Sequence, residues 1–134
     1  KEVLVEEYID GRELTVGIVG EQTLPVVEIV APGGWYDYRA KYTKGESRYL
    51  APAPLPERAA NECSTLALKV FKCLACRGMG RVDFRLDGDG RLWVLEMNNI
   101  PGFTETSLLP KAAAHAGIDF SSLCDRIMRM AGNG

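Results

Sequence analysis

Hydrophobic and polar positions alternate most cleanly between Gly80 and Leu109, in the stretch GRVDFRLDGDGRLWVLEMNNIPGFTETSLL. A period of two is the signature of a strand with one covered face. Between the two runs, Asp87-Gly88-Asp89-Gly90 is a turn sequence whose glycines are free to take positive φ. A four-residue loop sets Leu86 opposite Arg91. It then pairs Val82 with Leu95, Phe84 with Trp93, Asp83 with Val94 and Arg81 with Glu96. The expected hairpin has an apolar face of Val82, Phe84, Leu86, Trp93, Leu95 and Met97. Its other face carries Arg81, Asp83, Arg85, Glu96 and Asn98. In this register Asp83 and Glu96 are diagonal neighbours, with Cα atoms roughly 7–8 Å apart. A slip of one residue would mix the two faces, so the apolar pattern supports the pairing.

The same reading predicts the remaining elements. Lys1–Ile9 reads as a strand, followed by an Asp10-Gly11 turn and a second strand over Glu13–Val19. Gly20–Thr23 turns the chain into a third strand, Leu24–Val30, completing an antiparallel meander. From Ala31 to Pro54 the chain is rich in Gly, Pro, Tyr and charge with no apolar period, as functional or disordered loops are. Pro56–Cys76 is the clearest helix, with Ala59, Cys63, Leu66, Ala67, Val70, Phe71 and Leu74 at three- and four-residue spacing. Pro56 suits its first position and Gly78 a left-handed stop. The helix is expected to cover the apolar face of the hairpin. After Ser107, Leu108, Leu109, Ala112, Ala113 and Ala116 form one short helical stripe that Gly117 ends. Phe120, Leu123, Cys124, Ile127 and Met128 form a second. The expected fold class is α+β: residues 1–134 as one domain, an antiparallel sheet of about five strands with helices packed mainly on one face.

Composition narrows the function classes. The 134 residues are 46% hydrophobic and 25% charged, an ordinary globular balance, with a net charge of −2. No broad basic surface argues for nucleic acid or an anionic membrane, and no segment is apolar enough to span a bilayer. With no secretory signal at its start and no disulfide-scaffold pattern in its four cysteines, the chain is expected to be cytoplasmic. Cys73-x-x-Cys76 is half of a metal or redox motif with no second pair, and is read as structural. His115, among alanines, is given no catalytic role.

The polar hairpin face holds the chemistry. Two carboxylates and the Asn98 amide make a hard-oxygen cluster suited to magnesium rather than zinc. Arg81 beside them suggests an anion, because a guanidinium matches phosphate or carboxylate geometry. On pattern alone, a solvated charged strand face is the alternative.

The run Glu96-Met-Asn-Asn-Ile-Pro-Gly-Phe-Thr-Glu-Thr-Ser-Leu-Leu-Pro110 resembles the signature of the D-alanine–D-alanine ligases of the ATP-grasp superfamily. Asn99 stands where that family usually has Thr. The resemblance covers essentially the whole chain and implies the C-terminal part of such an enzyme. It places magnesium or manganese, expected as two ions, on Asp83, Glu96 and Asn98. It assigns the adenine hinge to Glu6, Glu7, Tyr8 and Ile9, largely through backbone groups, and the ribose hydroxyls to Glu13. Tyr36-Asp37-Tyr38-Arg39-Ala40-Lys41-Tyr42 is similar to the loop that closes over the ATP phosphates. Tyr36 and Lys41 would lie against the nucleotide, and Tyr42 would fasten the loop. Ser107 and the Leu108 backbone N–H would hold the carboxylate of the second D-alanine, with Ser107 also a plausible helix N-cap. Arg81 and the Gly102 backbone N–H would stabilise the developing oxyanion.

The implied activity is ATP-dependent joining of two D-alanines through an acyl phosphate, for peptidoglycan synthesis. Its partners are small molecules, and full-length members of the family are usually homodimers. Two alternatives stay open: another ATP-grasp carboxylate–amine ligase, or a non-catalytic nucleotide-binding module. Calcium binding through Asp87-Gly88-Asp89-Gly90 is the weakest reading, because later ligands do not follow at the needed spacing.

Overall fold

The computed structural model describes residues 2–30 and 48–132. The strands are β1 (Arg12–Val19), β2 (Gln22–Thr23), β3 (Val27–Val30), β4 (Arg48–Leu50), β5 (Met79–Leu86) and β6 (Leu92–Asn98). The helices are α1 (Glu57–Cys73), α2 (Leu108–His115) and α3 (Phe120–Ala131). The six strands make one antiparallel sheet in the order β4-β3-β1-β5-β6, with β2 pairing β1 off this path.

β1 is the spine, and its alternation divides the core. Leu14, Val16 and Ile18 point to one face, where they meet Val82 and Phe84 of β5 and Cys63, Ala67 and Phe71 of α1. Val19, on the opposite parity, joins Val27 and Ile29 of β3 against Leu108, Leu109, Ala112 and Ala113 of α2 and Leu123 of α3. Each fully buried Leu, Val or Phe contributes roughly 1.5–3 kcal/mol. The expected α+β class stands. The helices are shared between the faces, with α1 on one side and the α2–α3 pair on the other. Gly17 makes room for that pair, since a Cβ there would sit 3.0 Å from Leu24 Cδ1 and 3.4 Å from Leu109 Cγ.

Residues 2–10 do not form the expected strand. Val3, Leu4 and Val5 are more than four-fifths exposed. A strand needs a neighbour's N–H and C=O groups, and β1 is already paired with β3 on one edge and β5 on the other. The third strand starts only at Val27, after Pro25, which has no N–H to give a ladder.

The helix after Pro56 ends earlier than the sequence suggested. Its last turn closes with Ala75 N–H donating to Lys72 O and Cys76 N–H to Phe71 O, both at 3.0 Å. This is the Schellman arrangement, and its left-handed residue is Ala75, at φ +52°, rather than Gly78. Gly78, at φ +74°, instead belongs to the turn into β5, and its carbonyl accepts from Gly20 N–H. Leu74, expected on the apolar stripe, is exposed.

The hairpin register also departs from expectation. Leu86 pairs with Leu92, Arg85 with Trp93 and Phe84 with Val94. An irregularity between Asp83 and Phe84 then shifts the count, so Asp83 pairs with Glu96, Val82 with Met97 and Arg81 with Asn98. The reason for the first slip lies in Asp87. Its Oδ1 accepts from the N–H groups of Asp89 and Arg91, and its Oδ2 from Trp93 Nε1 at 2.8 Å. Trp93 is thereby drawn to the turn instead of the core. Leu95 is the extra residue of the bulge and is half exposed. The bulge cancels the slip, so Glu96 and Asn98 return to the polar face and Met97 to the α1 core.

Candidate active site

Three cross-strand rows build the site on the sheet face that carries α2. Glu13, Arg85 and Trp93 form one row, Thr15, Asp83 and Glu96 the next, and Gly17, Arg81 and Asn98 the third. Asp83 and Glu96 are therefore directly opposed rather than diagonal, roughly 4.5–5.5 Å apart between Cβ atoms for such a pair. The two positions are direct partners across the ladder, nearer than the expected diagonal.

Asp83 is buried and held on both oxygens. Arg81 grips it as a fork, Nε to Oδ1 at 2.9 Å and Nη2 to Oδ2 at 2.8 Å. Thr15 Oγ1 donates to Oδ1 at 2.6 Å, the short distance of a hydroxyl on a carboxylate. Arg85, also buried, donates from Nη1 to Gly11 O at 2.9 Å and brings Nη2 within 3.5 Å of Glu13 Oε2. Among the described residues no buried side-chain polar atom lacks a partner.

Beside these rows lies a cleft of about 420 Å³. It is lined by the segment Glu6–Ile9, by Glu13 of β1, by Asp83 and Arg85 of β5, and by Val94–Glu96 of β6. The lining holds five carboxylates and one guanidinium, a field that draws cations. The segment expected as a hinge thus lines the cleft without being a strand.

The residues expected to hold a metal fit that task by donor chemistry. No three His, Cys, Asp or Glu side chains among the described residues converge as metal ligands. Asn98 offers an amide oxygen as a further protein donor on the same face. Asn98 Oδ1 accepts from Ile100 N–H at 3.1 Å and keeps a second lone pair. Two carboxylates and one amide are a magnesium or manganese set, with substrate and water left to complete the shell.

A second group sits at the start of α2. Ser107 occupies the N-cap position, but its side chain does not cap the helix. Its Oγ accepts from Thr104 N–H at 3.0 Å and lies 2.9 Å from Thr104 Oγ1. The local turn competes for the hydroxyl and wins. Gly102 is folded against it, since a Cβ there would lie 3.6 Å from Ser107 Oγ. Phe103 packs on Phe120 of α3, with ring centroids 5.3 Å apart, pinning this loop. The Leu108 side chain is buried, leaving only backbone for a ligand. Ser107 and Gly102 do not line the acidic cleft. Tyr36, Lys41 and Tyr42 lie outside the described residues.

Other sequence readings resolve simply. Cys76 packs against the α1 core while Cys73 is exposed, so the two thiols face different surroundings. Burial, with the neighbouring Glu62 charge, pushes the Cys63 thiol up to about 12 and leaves it inert. His115 is exposed. The Asp87 carboxylate organises its own turn, and among the described residues no three acidic side chains converge there as a calcium site would need. Sequence reasoning missed Thr15 and gave Arg85 no role. The only signal for either was strand parity with Glu13 and Asp83.

The family model described as D-ala D-ala ligase C-terminus matches residues 1–129. The D-alanine–D-alanine ligase of Bordetella petrii is 49% identical over 131 residues, covering 95% of this chain and 40% of the relative. That of Beijerinckia indica is 53% identical over 126 residues, covering 90% and 41%. Among solved structures, D-alanine–D-alanine ligase from Bacillus anthracis complexed with ATP superposes with a TM-score of 0.82 at 31% identity, over 96% of this chain and 40% of that one. VanG D-Ala:D-Ser ligase from Enterococcus faecalis gives 0.80 at 31%, over 92% and 37%. The chain thus spans about 40% of the length of the relatives it matches. With a match over nearly its whole length and a site built on the signature residues, the chain belongs to the family of the D-alanine–D-alanine ligase C-terminus.

Proposed function

We propose that this chain supplies the metal-binding and second-substrate parts of an ATP-dependent ligase that joins two D-alanines for peptidoglycan synthesis. One observation carries the reading: Asp83 and Glu96 oppose each other across β5 and β6 at the edge of an acidic cleft, with Arg81 alongside. Asp83, Glu96 and Asn98 would hold one or two magnesium or manganese ions, which screen phosphate charge when bound. Glu6 to Ile9 line the cleft and would offer backbone groups to adenine, and Glu13 would offer a carboxylate to the ribose hydroxyls. Arg81 and Gly102 N–H are donors for charge developing on the reacting carboxylate of the first D-alanine, activated as its acyl phosphate. Ser107 and the free N–H groups opening α2 suit the carboxylate of the second amino acid. Tyr36, Lys41 and Tyr42 would close over the phosphates and exclude water. The cytoplasm, where ATP is found, is the expected location, and a homodimer the expected assembly of the full-length enzyme. No helix among the described residues is long and apolar enough to cross a membrane.

Glu96→Gln in the full-length enzyme tests the reading. Glu96 is exposed, so its loss spares the core, whereas Asp83 is buried and its removal would break the bidentate ion pair with the half-buried Arg81. We expect dipeptide formation, followed by ADP release and mass spectrometry, to fall at least about a hundredfold with the melting temperature kept. Near-normal rates would remove Glu96 from the metal site. The VanG neighbour, a D-Ala:D-Ser ligase, favours a second reading in which D-serine is the second substrate. The same assay run with D-serine in competition with D-alanine separates the two.

A further inference from the structure

The hydroxyl of Thr15 has no role in the reading above, and its surroundings are unusual for a strand threonine. It is 1% exposed, on the central strand, and it reaches across to the neighbouring strand rather than to solvent. Its proton has two acceptors in range, Val82 O at 3.3 Å and Asp83 Oδ1 at 2.6 Å, and the shorter contact identifies the carboxylate as the partner. A carboxylate oxygen offers two lone pairs. Those of Oδ1 are both engaged, by Thr15 Oγ1 and Arg81 Nε. Among the described residues Oδ2 accepts from Arg81 Nη2 alone, which leaves one of its lone pairs to a ligand.

We propose that Thr15 is the positioning residue of the metal site. By occupying Oδ1 and locking the carboxylate rotamer, it assigns Oδ2 of Asp83 to the divalent cation. The inference rests on the reading of Asp83 and Glu96 as metal ligands. Without the hydroxyl, the carboxylate turns about its Cβ–Cγ bond and Arg81 alone decides which oxygen faces the cleft. A buried side chain that only filled space would be replaced by valine, its isostere, without effect on the cation. A hydroxyl that orients a ligand would not.

The test uses Mn²⁺ alone as probe, titrated into the full chain and followed by the electron paramagnetic resonance signal of the free ion. Thr15→Val is expected to weaken Mn²⁺ binding roughly 10–100-fold, the usual effect of removing a group that orients a metal ligand. Thr15→Ser keeps the hydroxyl and is expected to stay within about threefold of the parent, even where the lost methyl lowers its melting temperature. Equal affinity of parent and valine variant overturns the proposal while leaving the metal reading intact. So does a serine variant as weak as the valine variant, which also covers the case of a valine variant that does not fold. A parent chain that takes up no Mn²⁺ overturns the metal reading, and this inference with it.

Discussion

At the scale of single residues, the described chain keeps a backbone conformation at Ala75 that its side chain does not favour. Ala75 sits at φ +52° in the position after the α1 cap that glycine usually fills. A left-handed conformation costs an L-residue roughly 1–2 kcal/mol, and two hydrogen bonds to Lys72 O and Phe71 O hold it there. Ala75→Gly removes the Cβ clash but gives the unfolded chain more freedom, which offsets part of the gain. We expect a net stabilisation of about 0.5–1 kcal/mol, read as a higher urea midpoint with an unchanged slope. A lower midpoint would show that Ala75 contributes packing the exposed turn does not suggest. The same scale explains why Asp83 and Glu96 differ as targets. They oppose each other in the ladder and both line the cleft, yet Asp83 is buried in a three-residue network and Glu96 is exposed.

Elements are held at their ends by groups whose ionisation matters. α3 starts at Asp119, whose Oδ1 accepts from Ser122 N–H at 2.8 Å and whose Oδ2 accepts from the Ser122 hydroxyl. The Ser122 backbone bond first, then its hydroxyl, hold the Asp119 carboxyl below the ordinary value of 3.8. A depressed folded value means the ionised cap favours the folded state above the unfolded pKa. That contribution fades as the pH falls through the folded value. Asp119→Ala is therefore expected to be less stable than the parent at neutral pH. The gap should narrow on acidification below about pH 4. Urea unfolding of both proteins at pH 7 and pH 3 checks this, and a gap that is constant or widens in acid would refute the cap. α2 behaves differently. Ser107 stands in the cap position but bonds Thr104, so the N–H groups of the first turn stay available to an anion. The two helix starts look alike in sequence and serve different ends.

At the scale of the whole molecule, the described residues pack one core on each face of the sheet and leave an acidic cleft beside it. The two opposed carboxylates, the cleft and the α2 terminus are present on a chain about 40% of its relatives' length. Holding nucleotide and two amino acids in one orientation contributes on the order of 7–11 kcal/mol to such a step. We therefore expect the 134-residue chain assayed by itself to form no D-alanyl-D-alanine. The full-length enzyme carrying it should do so under the same conditions. Direct detection of dipeptide from the purified chain would show that these elements alone position all the reactants.

Much of this architecture was legible in the sequence, for a physical reason that can be named. Period-two alternation identified Glu13–Val19 and the Gly80–Asn98 hairpin, and the three- and four-residue spacing identified α1, because burial selects for those periods. Parity alone put Arg81, Asp83, Glu96 and Asn98 on one face, and the signature run after Glu96 pointed to the family. Tertiary structure decided the rest. Whether residues 2–10 form a strand depended on a free neighbouring edge, which no local pattern encodes. The hairpin register turned on the Asp87 carboxylate capturing Trp93 and on a bulge at Leu95, two events that cancel in parity and so leave no trace in it. Thr15 was invisible as a site residue, since its hydroxyl meets Asp83 from a strand 68 positions away. The period records which face a side chain points to, and only the folded sheet records what it meets there.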